Sequence, residues 1–267
     1  MSVKFCPIAS GSDGNSVYIG SDDTHILIDA GLSGKRINEG LENAAGISCD
    51  KLDGIFITHE HTDHIKGAGV VSRRYGTPLY ATKKTWEHID RRNLIGAVPE
   101  NKKNIIQSGE KFSLKSIIIE AFDIPHDAAQ PVGYSVYLED KKITVATDIG
   151  CVTDSMREKI FGSDIILLES NHDLEMLKNG SYPAVLKKRI MSDKGHLSNR
   201  GAGELLADII CPKLKYVFLG HLSAENNMPL IAMETVTTIL GANHIKVGRD
   251  FHLYLAQRGV VSESLII

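Results

Sequence analysis

The 267-residue sequence has no apolar run near 18 residues, so no membrane-spanning helix is expected. Its start, Met1-Ser2-Val3-Lys4-Phe5-Cys6-Pro7, lacks the extended apolar segment of a secretory signal; a cytoplasmic protein is expected. Cysteine is scarce. Cys6, Cys49, Cys151 and Cys211 are widely scattered, without a C-x-x-C pair, so a structural zinc knuckle is unsupported. They read as small buried or semi-buried apolar groups. The formal net charge is only −3, which does not announce a nucleic-acid binder. Repeats, low-complexity tracts and long linkers are absent. With 42% hydrophobic and 24% charged residues, the chain reads as one globular domain, residues 1–267.

What is present is concentrated in His59-Glu60-His61-Thr62-Asp63-His64, an H-x-H-x-D-H motif. Four of its six side chains can ligate a metal, and imidazole with carboxylate suits zinc, iron or manganese. The apolar stretch before it, Leu52 to Thr58, reads as a buried strand. The motif therefore sits at a strand's carboxyl end, where open α/β sheets place their sites. In an extended segment His59, His61 and Asp63 share a face. His64 joins them only if the chain turns at Thr62-Asp63 into a helix.

One loop cannot fill two metal shells, and further donors follow. His126 comes after Ile117-Ile118-Ile119 and Phe122-Asp123-Ile124-Pro125. Asp148 comes after Ile143 to Thr147, and His221 after Tyr216 to Gly220. Each is a metal-capable residue at the presumed end of a short apolar strand. Four such strand ends make isolated structural histidines a poor explanation.

These residues, with the Asp29-Ala30-Gly31 turn, resemble the metallo-β-lactamase superfamily over nearly the whole chain. The resemblance implies a four-layer αββα sandwich, an α/β (α+β) fold of two packed sheets with helices on both sides. It implies two divalent metal ions (zinc, manganese or iron). His59, His61 and His126 would hold one, Asp63, His64 and His221 the other, with Asp148 bridging and Asp29 orienting the ligand loop. Flavin-linked diiron members carry an acid where this chain has His61, which disfavours redox chemistry. Many true β-lactamases carry a basic residue at position 64, where His64 favours a second metal. Paired metals suit hydrolysis, especially of phosphodiesters.

Three features bear on the substrate. The first is Gly195-His196-Leu197-Ser198, ahead of a helix capped by Ser198 or Asn199. RNase J-like nucleases carry an extra histidine here, so His196 is a candidate donor to the leaving oxygen or, alternatively, a capping histidine. Those enzymes also insert a capping domain, but Asp148 and His196 are only 48 positions apart, so none fits. Second, Lys194 to Asn199, His221 to Asn227 and Ser10-Gly11-Ser12-Asp13-Gly14-Asn15-Ser16 resemble the WalJ/YycJ family of small bacterial proteins. That resemblance implies a DNA exonuclease, directed to the 5′ end. The Ser10, Gly11, Ser12 and Asn15 loop could present N–H groups to a phosphate or be a tight turn. Glu225 and Asn226 are candidate substrate contacts or plain helix-start residues.

Third, Lys66 to Lys103 holds nine Lys/Arg residues against three acids, a local charge of +6. It includes Arg73 and Arg74 and could carry a strand's phosphates, or be a solvated helix pair. Tyr75, Tyr80 and Trp86 there could stack on a base; filling the seam between helix and sheet is the favoured reading.

The pattern predicts strands at Val3–Ile8, Ser16–Ile19, His25–Asp29, Leu52–Thr58, Ser116–Phe122, Val132–Leu138, Lys142–Thr147, Asp164–Glu169, Tyr216–Leu219, His244–Val247 and Phe251–Ala256. Helices are predicted at Gly34–Asn43, Ile65–Tyr75, Lys83–Asn93, Thr153–Phe161, Tyr182–Met191, Asn199–Ile210 and Asn226–Leu240. The resulting expectation is a dinuclear phosphodiesterase, a DNA exonuclease, with Asp63, Asp148 and His196 in catalytic roles. Two rivals stand beside it. One is a small-molecule hydrolase of a thioester, lactone or cyclic phosphodiester, which a closed pocket with an apolar wall would favour. The other is a non-catalytic partner protein linked to cell-wall two-component signalling.

Overall fold

The computed structural model describes residues 2–267. A first sheet takes β1 (Lys4–Ala9), β2 (Ser16–Gly20), β3 (His25–Ile28), β4 (Gly54–Phe56), β5 (Leu79–Thr82) and β6 (Lys103–Ile106). A second takes β7 (Lys111–Leu114), β8 (Ile117–Asp123), β9 (Val132–Leu138), β10 (Lys141–Ala146), β11 (Ile165–Glu169), β12 (Tyr216–Gly220) and β13 (His252–Leu255). The last strand, β14 (Leu265–Ile266), returns to pair with β1. Strands β3 to β6 run parallel, as do β10 to β13; the remaining pairings are antiparallel.

Strand alternation builds the layers, because successive side chains point to opposite faces. In β11, Ile165 and Leu167 face the other sheet, while Ile166 and Leu168 face outward. Phe5, Ile19, Ile26 and Phe56 of the first sheet meet Ile119, Tyr134, Val145 and Phe218 of the second in the central core. The outer face of the first sheet is covered by α1 (Gly34–Ala45), α3 (Ala68–Tyr75) and α4 (Lys83–Arg92), through Ile37, Leu41, Val71, Trp86 and Ile89. The outer face of the second is covered by α5 (Asp154–Ile160), α8 (Asn199–Ile209) and α9 (Pro229–Ala242), through Met156, Leu206, Val236 and Leu240. This is the four-layer αββα sandwich expected from the sequence.

Several elements differ from the predicted pattern. The helix expected over Ile65–Tyr75 is two: α2 (Thr62–Ile65) and α3. The carbonyl of Asp63 accepts from Asn15 N–H, and Gly67 N–H donates to Ala30 O, so the helical ladder is diverted between them. No strand forms at His244–Val247, where Asp250 accepts from Lys246 N–H and closes a turn. The short strands β5, β6, β7 and β14, and helix α6 (Leu174–Asn179), were not expected. Helix α7 (Ala184–Ile190) is shorter than its prediction, and α9 starts at Pro229 rather than Asn226.

Candidate metal centre

The site lies at the carboxyl ends of β3, β4, β8, β10, β11 and β12. Three of its residues turn sharply out of their strands: Asp29, Asp148 and His221 have φ of 62°, 60° and 55°. A non-glycine residue there costs roughly 1–3 kcal/mol. The turn aims each side chain across the strand ends rather than along the sheet. Gly31 is required by the same construction, since a Cβ there would lie 1.7 Å from Asp63 O.

His59, His61 and His126 converge with ring centroids 4.5 to 5.2 Å apart. His64 and His221 are 5.8 Å apart. Donor atoms of His59, His61 and His126 form one group within 4.8 Å, those of Asp63, His64 and His221 another, and those of His59, His64 and Asp148 a third. The structure thus brings together every predicted ligand.

Four of the imidazoles are oriented the same way, by hydrogen bonds from Nδ1. His59 Nδ1 pairs with Thr58 Oγ1 at 3.0 Å, and that hydroxyl donates onward to Asp29 at 2.8 Å. His64 Nδ1 donates to Asp29 Oδ2 at 2.7 Å, and His126 Nδ1 to Gly195 O at 2.9 Å. His221 Nδ1 donates to Glu169 Oε1 at 2.9 Å. The Nε2 atoms of His59, His126 and His221, and Asp148 Oδ2, are buried without a hydrogen-bond partner. Burying such atoms unpaired is costly, and their membership of the donor groups above fits cations.

The charges agree. Burial alone would lower His64, but Asp148, Asp29 and Asp63 outweigh it and hold the imidazole well above its ordinary range. Burial likewise opposes protonation of His221, yet Asp148, Asp63 and Glu169 bring it up to about 10. Buried carboxylates therefore concentrate negative charge that divalent metal would neutralise. His59 is held well below its ordinary range by burial and by the neighbouring His64.

Glu169, at the end of β11, is a functional candidate that sequence reasoning missed. Its carboxylate is fully buried. It accepts from His196 Nδ1 at 2.7 Å, His221 Nδ1 at 2.9 Å, Ile149 N–H at 2.6 Å and Leu197 N–H at 3.0 Å. Burial would raise it, but His196 and His221 bring it down to about 2. With these bonds it orients two imidazoles, and its own oxygen lies within 4.8 Å of donor atoms of Asp148, His196 and His221. An acid at the end of an apolar strand, like Asp148, was the signal available. Glu60, inside the motif, was also passed over; it accepts from Ala129 N–H at 2.8 Å and ties the motif to the loop after His126.

A half-open cavity of about 240 Å³ covers the centre. His61, Asp63, Asp148, His196 and His221 form its floor. Tyr182, Leu186, Arg189 and Ile190 form one wall, and Ser12, Asn171 and Ser223 reach its rim.

A model of the β-lactamase superfamily domain matches residues 24–221. The chain is 41% identical over 254 residues to exodeoxyribonuclease YycJ of Bacillus anthracis, covering 95% of each. It is 41% identical over 251 residues to exodeoxyribonuclease WalJ of Streptococcus pneumoniae, covering 94% of this chain and 93% of that one. This chain belongs to the metallo-β-lactamase superfamily, with YycJ and WalJ. A solved member, the metallo-β-lactamase fold protein YhfI of Bacillus subtilis, matches at TM-score 0.73 and 15% identity over 98% of each chain, a likeness of fold.

Against that superfamily frame, several expected substrate contacts are structural. Ser10 is buried, and its Oγ accepts from His221 N–H at 2.8 Å. Asn15 is buried too. Its Nδ2 lies 3.1 Å from His64 Nε2 and 3.4 Å from Asp63 Oδ2, and its Oδ1 accepts from Gly11 N–H. Asn15 therefore meets the Nε2 that the Asp29 bond leaves free on His64, Ser10 holds the His221 backbone, and of this loop only Ser12 lines the cavity. Asn226 is buried, while Glu225 is exposed and accepts from Ser181 Oγ at 3.2 Å; neither lines the cavity.

The basic segment is also displaced from the site. Arg73 donates to Ile95 O and Ala97 O, and Arg74 lies over the Tyr75 ring. Lys103 pairs with Asp90 and Glu100. No residue of Lys66 to Lys103 lines the cavity, because α3 and α4 are spent covering the outer face of the first sheet. Trp86 and Tyr80 are buried in core packing, Tyr80 stacked on Phe56. Ser198, not Asn199, caps α8, accepting from Gly201 N–H.

Proposed function

We propose that this chain is a metal-dependent nuclease that hydrolyses phosphodiester bonds of DNA from an end, the 5′ end by family resemblance. It would work in the cytoplasm as one domain without a capping insertion. The observation that carries a hydrolytic metal centre is the set of buried, unpartnered Nε2 atoms on His59, His126 and His221, with Asp148 Oδ2 likewise unpartnered. The substrate class follows from the near full-length similarity to the YycJ and WalJ exodeoxyribonucleases.

His59, His61 and His126 would hold one divalent ion and Asp63, His64 and His221 a second, with Asp148 between them. Bound ions would supply Lewis acidity to the phosphate and make water acidic enough to attack at neutral pH. The chain's own residues do the rest. Asp29 and Glu169 lock the imidazole orientations, a contribution usual for carboxylates behind metal ligands. Asp63 is about a quarter exposed into the cavity and is placed to accept a proton from the attacking water. His196 is held by Nδ1 to Glu169, which leaves Nε2 to donate a proton to the leaving sugar oxygen.

A second reading has one observation in its favour: Tyr182, Leu186 and Ile190 give the cavity an apolar wall, which suits a small phosphodiester or thioester. The test is the protein reconstituted with Mn²⁺ or Zn²⁺ and given end-labelled single-stranded and duplex DNA and RNA, with His61→Ala as control. Stepwise loss of nucleotides from a DNA end, absent in the variant, is the expected result and reports polarity. Turnover of a small phosphodiester or thioester with no polymer cleaved would overturn the nuclease reading in favour of the second.

A further inference from the structure

Part of the segment between β11 and α8 packs only weakly on the rest of the molecule. Helix α7 buries none of its residues, and Val185 is 83% exposed. Yet its inner side forms a wall of the cavity. Helices without a buried face gain little from packing, so what keeps α7 over the metal centre is polar. Lys187 Nζ donates to Lys178 O at 2.9 Å and Gly180 O at 2.7 Å, tying α7 to the end of α6. At the other end His196 N–H donates to Ile190 O at 2.9 Å, and Asp127 N–H to Lys194 O at 3.1 Å. Gly195 permits this close return, since a Cβ there would lie 2.1 Å from Ile190 O.

Arg189 is the one lysine or arginine lining the cavity among the described residues. Its Nε is bonded to Asp127 Oδ2, and Asp127 Oδ1 lies 3.4 Å from His126 Nε2. A single carboxylate therefore fixes the guanidinium at a set position beside the metal centre. The bond uses Nε alone, and the terminal nitrogens make no hydrogen bond to protein among the described residues. The side chain remains 59% exposed. A planar fork presented this way matches a phosphate.

Resting on the nuclease reading, we propose that Arg189 binds the phosphate next to the scissile one. Asp127 is then a positioning residue that holds the guanidinium, and the arm from Ser181 to Gly195 is the strand-binding element. The basic cluster before β6, far richer in charge, takes no part. A substrate with a single phosphate has nothing for Arg189 to hold, so the arm discriminates in favour of a polymer.

The test compares full-length wild type, Arg189→Ala, Arg189→Lys and Asp127→Asn, each reconstituted with Mn²⁺. Kinetics are measured on a labelled single-stranded oligodeoxynucleotide across a range of salt, and on bis(p-nitrophenyl) phosphate. Anisotropy of the same oligonucleotide with metal-chelated protein gives a readout independent of turnover. For Arg189→Ala, KM and Kd for DNA should rise about tenfold, and the log–log salt dependence should become shallower by about 0.7, the share of one phosphate contact on a single strand. The small diester should lose much less. Arg189→Lys should recover part of the DNA affinity, and Asp127→Asn should raise KM more than it lowers kcat. Wild-type cleavage of DNA with unchanged affinity and salt slope in Arg189→Ala would overturn the proposal and leave the nuclease reading intact. Equal losses on both substrates would overturn it as well. A wild type inert on DNA but active on the diester would instead bring down the nuclease reading, and this proposal with it.

Discussion

The first sheet supplies its candidate ligands from a single loop: His59, His61, Asp63 and His64 all leave the end of β4 within six residues. The second supplies His126, Asp148 and His221 from three separate strand ends, with Glu169 behind them from a fourth. Each half has one buried carboxylate that orients its imidazoles. Asp29 serves the first, through Thr58 and His64. Glu169 serves the second, through His196 and His221. A compact loop can be braced by one neighbouring turn, and here Asn15 and Gly31 do that. A dispersed set has no common loop, so its geometry depends on strand register and on a carboxylate that several elements share.

That contrast can be broken most severely at the metal residues themselves. His61→Ala in the first half and Asp148→Ala in the second should both drop nuclease activity to background, with bound metal, measured by inductively coupled plasma mass spectrometry, falling in parallel. Full metal occupancy in an inactive Asp148→Ala would separate the two halves and remove Asp148 from the ligand set.

The orienting carboxylates sharpen the comparison further. Loss of a partner behind a metal ligand typically costs about 10–100-fold in affinity or activity. Glu169→Gln should fall near the upper end of that range, because it loosens His196 and His221 together. Asp29→Asn should fall near the lower end, because Thr58 Oγ1 also lies 3.3 Å from His64 Nδ1. Metal titration and kcat measured on both variants check the order; equal losses would mean that the dispersed half is no more dependent on its carboxylate than the loop.

The smallest effect is expected where the sequence carries the most positive charge. Arg73→Ala should leave DNA affinity and its salt dependence as in wild type. It should lower stability by about 1 kcal/mol through its two lost backbone hydrogen bonds, read as a shift in the urea midpoint. A shallower salt slope would return the basic segment to the substrate path.

The strands β8 to β12 were legible because each is a short apolar run bounded by polar or turn residues. The metal motif was legible because four donors within six residues have few other uses. Short edge strands such as β6 and β14 were not legible; with two to four residues, they lack enough period to distinguish strand from loop. The Lys66 to Lys103 cluster lines no part of the cavity, because proximity in sequence to His64 does not carry proximity in space. A helix that covers a sheet's outer face carries its exposed charges away from the strand ends. His196 stood out as a lone histidine ahead of a helix cap, but its partner Glu169 looked like the last residue of a strand.

By itself, the sequence determined the apolar strand segments and the metal-capable residues at their ends, because hydrophobic runs and donor spacing are local properties that act before any tertiary contact; the αββα layering was implied by the family resemblance those residues carry. Only the tertiary structure decided that Glu169 holds two imidazoles, that Ser10 and Asn15 face inward, and that Arg189 rather than Arg73 stands over the cavity. Those assignments depend on hydrogen bonds between groups up to 211 positions apart, as for Ser10 and His221. The chain can form such pairs only after strand register and the crossing of α7 have set its direction in space.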